Sequence, residues 1–257
     1  MQLVQTAIEE AGQLLADAWN TATTIDALPE HLCPADLAEA TAIQDATARL
    51  IDDVVVGWKI GGGPGALIGR IYARHRHASP ALLSARQYPA ANVECEIGFR
   101  LIQDLPARAT PYRAEEVLAA AVLAFTIELT GSRLTGGKHA AETDHDLLMI
   151  VADNAAGAGL VTGPEVANWQ HLALLGVPVE LRINNGPAVR MNADARTDPA
   201  QILVWAANEL SRRGFGLKAG QWISPGSATM PVPIRPGDHV LARFAAFGEI
   251  DVRLRAD

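Results

Sequence analysis

Two glutamates, Glu94 and Glu96, sit in the run Ala91-Asn92-Val93-Glu94-Cys95-Glu96-Ile97-Gly98-Phe99. The run alternates, so Val93, Cys95, Ile97 and Phe99 share one side of a β-strand and the two glutamates share the other. Carboxylates two residues apart on a strand point the same way and repel each other. A divalent cation turns that repulsion into a binding site, because hard cations such as Mg²⁺ take oxygen ligands. The same spacing also describes an ordinary half-exposed strand with a solvated acidic face. A third carboxylate, Glu128, follows the apolar run 117–125 and precedes Leu129. An ionised group in such a segment is costly to bury unless a cation meets it. Glu128 is therefore either a third oxygen donor or a glutamate at a helix end that reaches solvent.

Other side chains could join such a centre. Lys59 ends the β-branched stretch Asp53–Ile60, where it either serves a site or snorkels to water. His75 and His77, in Tyr72-Ala73-Arg74-His75-Arg76-His77, could be ligands or catalytic groups. With no third ligand beside them, a solvated basic loop is the preferred reading. His139 and Glu142 fall at i and i+3, as an acid–base pair or a surface helical turn. Asp153-Asn154 interrupts a stretch of small residues that allows close packing, which makes the pair a hydrogen-bond node or a site element. Cys33 and Cys95 have no metal-ligand spacing, and Cys95 reads as a buried small hydrophobe.

The elements that must position these residues are readable in outline. Apolar positions at helical spacing predict a helix over 2–20 and another over 35–50, started by Asp36 or Pro34. The strand Asp53–Ile60 runs into Gly61-Gly62-Gly63-Pro64-Gly65, which lacks a P-loop Lys-Ser/Thr and reads as a flexible loop. Residues 71–90 look irregular, 114–124 helical, and 131–147 a long loop. A strand at Val179–Ile183 ends in the hairpin turn Asn184-Asn185-Gly186. Asp198-Pro199 caps a helix to about Arg212, and short strands follow at 221–226, 240–247 and 249–254. No repeat or linker divides the 257 residues, so one domain, 1–257, is expected, with 1–50 as a helical N-terminal portion. Hydrophobic residues make up 49% and charged residues 19%, a globular composition. A net charge of −8 without a basic cluster argues against nucleic-acid and anionic-membrane partners. The N-terminus lacks the basic start and apolar core of a signal peptide, and no apolar run reaches spanning length. The cytoplasm is the default compartment.

The ordered set of motifs resembles the 2-keto-4-pentenoate hydratase/2-oxo-4-hex-3-enedioate decarboxylase branch of the fumarylacetoacetate hydrolase superfamily. Its carriers are Gly57-Trp58-Lys59-Ile60-Gly61, Val93–Phe99, Ile127-Glu128-Leu129 with Ser132-Arg133, Ala152-Asp153-Asn154-Ala155, Gly220–Ser227 and Pro236-Gly237-Asp238. The resemblance implies an α/β (α+β) fold, a mixed, rolled β-sheet with peripheral helices. It implies that Glu94, Glu96 and Glu128 hold Mg²⁺ or Mn²⁺ and that Lys59 assists proton transfer. If desolvated and beside the metal, Lys59 would have its pKa lowered and could shuttle a proton near neutral pH. Asp153, Asn154, Ser224, His75 and His77 become candidate substrate-binding residues. The implied activity is a hydratase acting on a small 2-hydroxydienoate or 2-oxo acid through a metal-stabilised enolate. Decarboxylation, tautomerisation, cyclisation or ligand binding without catalysis are the alternatives, and a homo-oligomer is implied. Two departures make the chain an atypical member. The segment Leu67–His77 has no Asp or Glu where the family has an acid; if that acid is a required proton donor, either the reaction has changed or His75, His77 or Tyr72 has taken the role. Gly131 stands where the family has an Asp before Ser-Arg. The His139–Glu142 pair follows the metal carboxylates instead of preceding them, which disfavours hydrolytic C–C cleavage.

Overall fold

The computed structural model of the chain describes residues 3–61, 67–89, 91–135, 142–192, 198–226 and 228–256, without side chains at 191 and 192. Two helices open the chain, α1 (Gln5–Thr21) and α2 (Leu37–Leu50). The Asp36 side chain accepts a hydrogen bond from Glu39 N at 2.9 Å and starts α2. Gly12 lets the helices touch, since a Cβ there would lie 2.7 Å from Ala46 Cβ.

The strands are β1 (Val55–Gly61), β2 (Leu67–Tyr72), β3 (Arg76–Ala78), β4 (Ala81–Ser84), β5 (Asn92–Leu101), β6 (Ala121–Thr130), β7 (Gly157–Val166), β8 (Pro178–Ile183), β9 (Val189–Asn192), β10 (Trp222–Ser224), β11 (Val232–Pro233), β12 (His239–Phe244) and β13 (Gly248–Arg255). Three further helices, α3 (Ala114–Ala119), α4 (Asp144–Ala152) and α5 (Pro199–Arg212), lie between them. One sheet has the order β2-β1-β10-β5-β6-β7-β3, with β11 beside β5; the other has the order β4-β13-β12-β8-β9. The expected mixed sheet with peripheral helices is therefore present.

Alternation decides which face each sheet buries. Cys95, Ile97, Phe99, Phe125 and Ile127 join Phe244, Ile250 and Val252 of the second sheet in one core. Phe125 and Phe244 meet at 4.7 Å between ring centroids. Gly163 permits the closest approach, since a Cβ there would lie 2.4 Å from Ile250. The second sheet thus covers the apolar face of β5–β7 and leaves the glutamate face for something else.

That other face is closed by the sheet's own curl. Asn154, in a short turn between α4 and β7, takes the place of a strand partner for β2. Its Oδ1 accepts from Arg70 N at 2.7 Å, and its Nδ2 donates to Arg70 O at 3.0 Å and Gly157 O at 3.2 Å. Gln44 of α2 adds bonds to Ile68 O at 3.0 Å and Val151 O at 2.7 Å.

Three expectations are corrected. The helix expected over 114–124 ends at Ala119, and Ala121 begins β6. That strand is central and covered on both faces, so its apolar residues run together and mimic a buried helix in sequence. Residues 71–90 are not irregular, since they hold the end of β2 and the strands β3 and β4, too short to alternate visibly. Part of the expected loop 131–147 is helical, because Thr143 caps α4 and accepts from Asp146 N at 3.1 Å. The turn at Asn184-Asn185-Gly186 joins β8 to β9 as expected. Residues 62–65 of the glycine run lie outside the described residues.

Asn154→Ala removes three bonds and leaves buried backbone groups of β2 without partners. We expect a loss of roughly 2–4 kcal/mol in urea unfolding. An unchanged midpoint would show that this side chain does not hold the curl.

Candidate active site

The register of β5 and β6 sets Glu94 directly opposite Glu128, and Glu96 opposite Thr126. One carboxylate oxygen from each of Glu94, Glu96 and Glu128 lies within 4.8 Å of the others. Glu96 and Glu128 are buried at 1% and 4% exposure, and Glu94 is half-buried. Lys59 brings a cation to them, its Nζ lying 2.6 Å from Glu128 Oε1. In the parallel pairing of β1 and β10, Ser224 stands beside Lys59, and its hydroxyl donates to Glu96 Oε2.

The lysine reaches the carboxylates through a passage that only glycine leaves open. A Cβ on Gly69 would lie 2.9 Å from Lys59 Cγ and 2.4 Å from Asn154 O; one on Gly157 would lie 2.9 Å from Lys59 Cδ. Neither glycine was singled out in the sequence. The available signal was a glycine inside a strand pattern, which often marks a close approach.

Burial and charge pull against each other here. Burial would push the pKa of Lys59 down, but the Glu128 charge and hydrogen bond, with Glu94 and Glu96 behind them, hold it above its ordinary value. The lowered pKa expected of Lys59 beside a metal is thus opposed, in the metal-free protein, by three carboxylates that outweigh burial. Lys59 carries its proton, and neutralising those carboxylates weakens the hold. Glu96 moves well above its usual range, first through burial and then through the Glu128 charge, with the Ser224 hydroxyl opposing. A buried set of three carboxylates facing one ammonium carries excess negative charge. Its donors are all oxygen, which suits a hard divalent cation.

The other candidates are placed elsewhere. Asp153 accepts from Ser132 Oγ at 2.7 Å, Arg133 N at 2.8 Å and Arg133 Nε at 2.6 Å. Asp153 and Asn154 are therefore the hydrogen-bond node that the sequence offered as one of two readings. Gly131, where an Asp was expected, closes the frame with its N–H on Ala156 O at 2.9 Å. His77 pairs with Val161, in a row with Ile127 and Cys95, which puts it on the sheet face opposite the glutamates. Its Nε2 bonds Tyr88 OH at 2.7 Å. His75 packs against Trp19 and Tyr88, with ring centroids at 5.0 and 5.7 Å, and burial pushes its pKa down to about 4. His77 thus lines up with the core face, and His75, in the short turn before β3, sits between Trp19 and Tyr88. His139 lies outside the described residues, and Glu142 is exposed.

The electrostatics predict a pH dependence. In the metal-free protein, Glu96 binds its proton more tightly when folded than when unfolded. Its contribution to stability is full below the ordinary value of 4.5 and falls as pH rises through the folded value. Relative to Glu96→Gln, wild-type protein stripped of metal should melt at progressively lower temperature as pH is raised from acid to neutral. Added Mg²⁺ should offset the loss and release protons. Melting curves that shift in parallel for the two proteins would contradict this account.

No family model matches the chain. It is 33% identical to the 4-oxalocrotonate decarboxylase of Pseudomonas sp. (strain CF600) over 166 residues, 63% of this chain and 59% of that protein. The match to the Pseudomonas putida decarboxylase likewise spans about half of that protein, 47%. The 2-keto-4-pentenoate hydratase of Paraburkholderia xenovorans (strain LB400) is 29% identical over 247 residues, 90% of this chain and 88% of that protein. The fold superimposes on 4-oxalocrotonate decarboxylase from Pseudomonas putida G7, complexed with magnesium and adipate. The TM-score is 0.83 at 21% identity, covering 98% of this chain and 99% of that one. Relatives and fold agree with the resemblance: the chain is similar in sequence to 4-oxalocrotonate decarboxylases and 2-keto-4-pentenoate hydratases, and it shares the fold of the solved decarboxylase.

Proposed function

We propose that the chain is a divalent-metal-dependent lyase that hydrates a small 2-hydroxydienoate or 2-oxo acid. Glu94, Glu96 and Glu128 would hold Mg²⁺ or Mn²⁺, and Lys59 would move the proton. The observation that carries this reading is the convergence of three carboxylates and one buried lysine on a single sheet face. An all-oxygen set with excess negative charge favours a hard cation over a soft one. When bound there, the cation supplies Lewis-acid stabilisation of the negative charge that develops on the oxygens of a 2-oxo acid.

The chain's own groups do the rest. Lys59 holds a proton at Nζ, and a buried ammonium beside developing negative charge is a proton donor. Its stem, gripped between Gly69 and Gly157, fixes where that proton is delivered. Ser224 orients Glu96, and the Arg133–Asp153 and Asn154 bonds hold the turn before β7 against β2. No acid of the segment 67–77 is available, so we assign proton donation to Lys59 and leave the two histidines out of the reaction.

Decarboxylation is the second reading, favoured by the 33% identity to 4-oxalocrotonate decarboxylase. Both reactions place electrons on the same 2-oxo acid oxygens, so the same four residues serve either. The proposal also takes 1–257 as one catalytic unit, working in the cytoplasm as a homo-oligomer. The net charge of −8 fits the absence of a nucleic-acid partner. Among the described residues no helix is long and apolar enough to cross a membrane.

Proton NMR of the protein with Mg²⁺ and 2-hydroxypenta-2,4-dienoate in D₂O tests the reading. Formation of 4-hydroxy-2-oxopentanoate is expected; deuterium exchange without hydration would move the assignment to tautomerisation. Carbon dioxide release from a 2-oxo-hex-3-enedioate would favour the decarboxylase. Lys59→Met should lower kcat by about 10²-fold or more with Mg²⁺ binding retained, whereas turnover within a few-fold of wild type would remove Lys59 from the chemistry. Glu128→Gln should abolish both Mg²⁺ binding and turnover in a folded protein.

A further inference from the structure

The strand that presents Lys59 has a second face. In the β1–β2 pairing Lys59 stands opposite Gly69, and one residue earlier Trp58 stands opposite Arg70. Strand alternation sends this second pair to the far side of the sheet from the carboxylates. There the pair opens on a cavity of about 460 Å³ between α2, the β1–β2 hairpin and the end of α5.

The chemistry of its walls is unbalanced in one direction. Arg70 is buried at 7% exposure, donating from Nη1 to Gln44 Oε1 at 2.9 Å and from Nη2 to Asp45. Its guanidinium carbon lies 5.4 Å from the Trp58 ring and 5.6 Å from the Phe215 ring. Two more arginines line the cavity, Arg212 and Arg213, and both pair with the same carboxylate, Glu209. Three guanidiniums therefore share two carboxylates, which leaves one positive charge uncompensated. Trp58 is 5% exposed, and its indole N–H is buried with no hydrogen-bond partner among the described residues. A buried donor without an acceptor carries a desolvation cost that a ligand oxygen would remove.

We propose that this cavity is a binding site for a planar organic monocarboxylate, aryl or dienyl, separate from the carboxylate centre. One surplus positive charge matches one carboxylate. The guanidinium at the cavity wall offers a charge-assisted bond, and the Trp58 N–H offers a second donor. The two aromatic rings, with Ile68 and Leu210, suit a flat apolar body. A phosphate would match the charge less well and leave the aromatic walls unused.

Sodium benzoate is the probe, titrated into full-length ¹⁵N-labelled protein with the indole cross-peaks as readout and Trp58→Phe assigning the resonance. A saturable shift of the Trp58 indole peak is expected, with half-saturation raised about tenfold in Arg213→Gln. Arg213 is partly exposed at the end of α5, and the variant should keep the wild-type melting temperature. Neutral benzamide should leave the peak in place, and inorganic phosphate should shift it less than benzoate. A Trp58 peak that does not move overturns the proposal, whether the cavity is empty or covered by a second copy of the chain. Equal responses to benzoate and benzamide, or an Arg213→Gln titration matching wild type, overturn it as well.

Discussion

The structure turns on like charge held in a dry place. Glu94 and Glu128 are cross-strand neighbours, an arrangement that sheets ordinarily avoid because the side chains repel. Glu96 adds a third carboxylate on the same face. Burial makes the repulsion stronger, since little solvent is left to screen it. The protein answers with one ammonium, one hydroxyl and a raised Glu96, and an excess of negative charge remains. Removing one partner of such a buried set leaves an uncompensated charge, which costs far more than the set contributes when whole.

Everything around the centre serves to keep that face closed and in register. The second sheet takes the opposite, apolar side of β5–β7, so the glutamate face is never asked to form hydrophobic core. Asn154 substitutes a side-chain amide for a neighbouring strand and lets β2 dock beside β7 without a continuous ladder. Arg133 satisfies Asp153 three ways while its guanidinium carbon lies 4.5 Å from the Trp19 ring, which ties α1 to the same frame. The helical N-terminal portion is thus part of the wall behind the site.

How much of this could be read from the chain depends on the range of the interaction. Glu94 and Glu96 were readable as a same-face pair because strand alternation is a local property. Glu128 was recognisable as anomalous, though not as a strand residue. Its apolar neighbours are buried on both faces and lose the period that separates strand from helix. Lys59 was readable as a candidate, but not the charges that hold its proton in the metal-free protein, because burial can be guessed locally and the three carboxylates arrive from other strands. His77 looked like chemistry and lies on the core face; only the β3–β7 register, set by residues more than eighty positions apart, decides that. Gly69 and Gly157 were invisible for the same reason. Their neighbour is a lysine stem that folding brings in from elsewhere.

Those two glycines also set a rule for how this scaffold can change over evolutionary time. They form a sleeve with no slack, so the side chain inside it can be shortened or lost, but neither wall can gain a methyl group without displacing it. The buried lysine is consequently the least adjustable part of the carboxylate centre. Change is more accessible through the segments that connect the strands than through the floor of the site. A lineage can therefore remodel those segments while the lysine, its sleeve and the three carboxylates pass through unaltered.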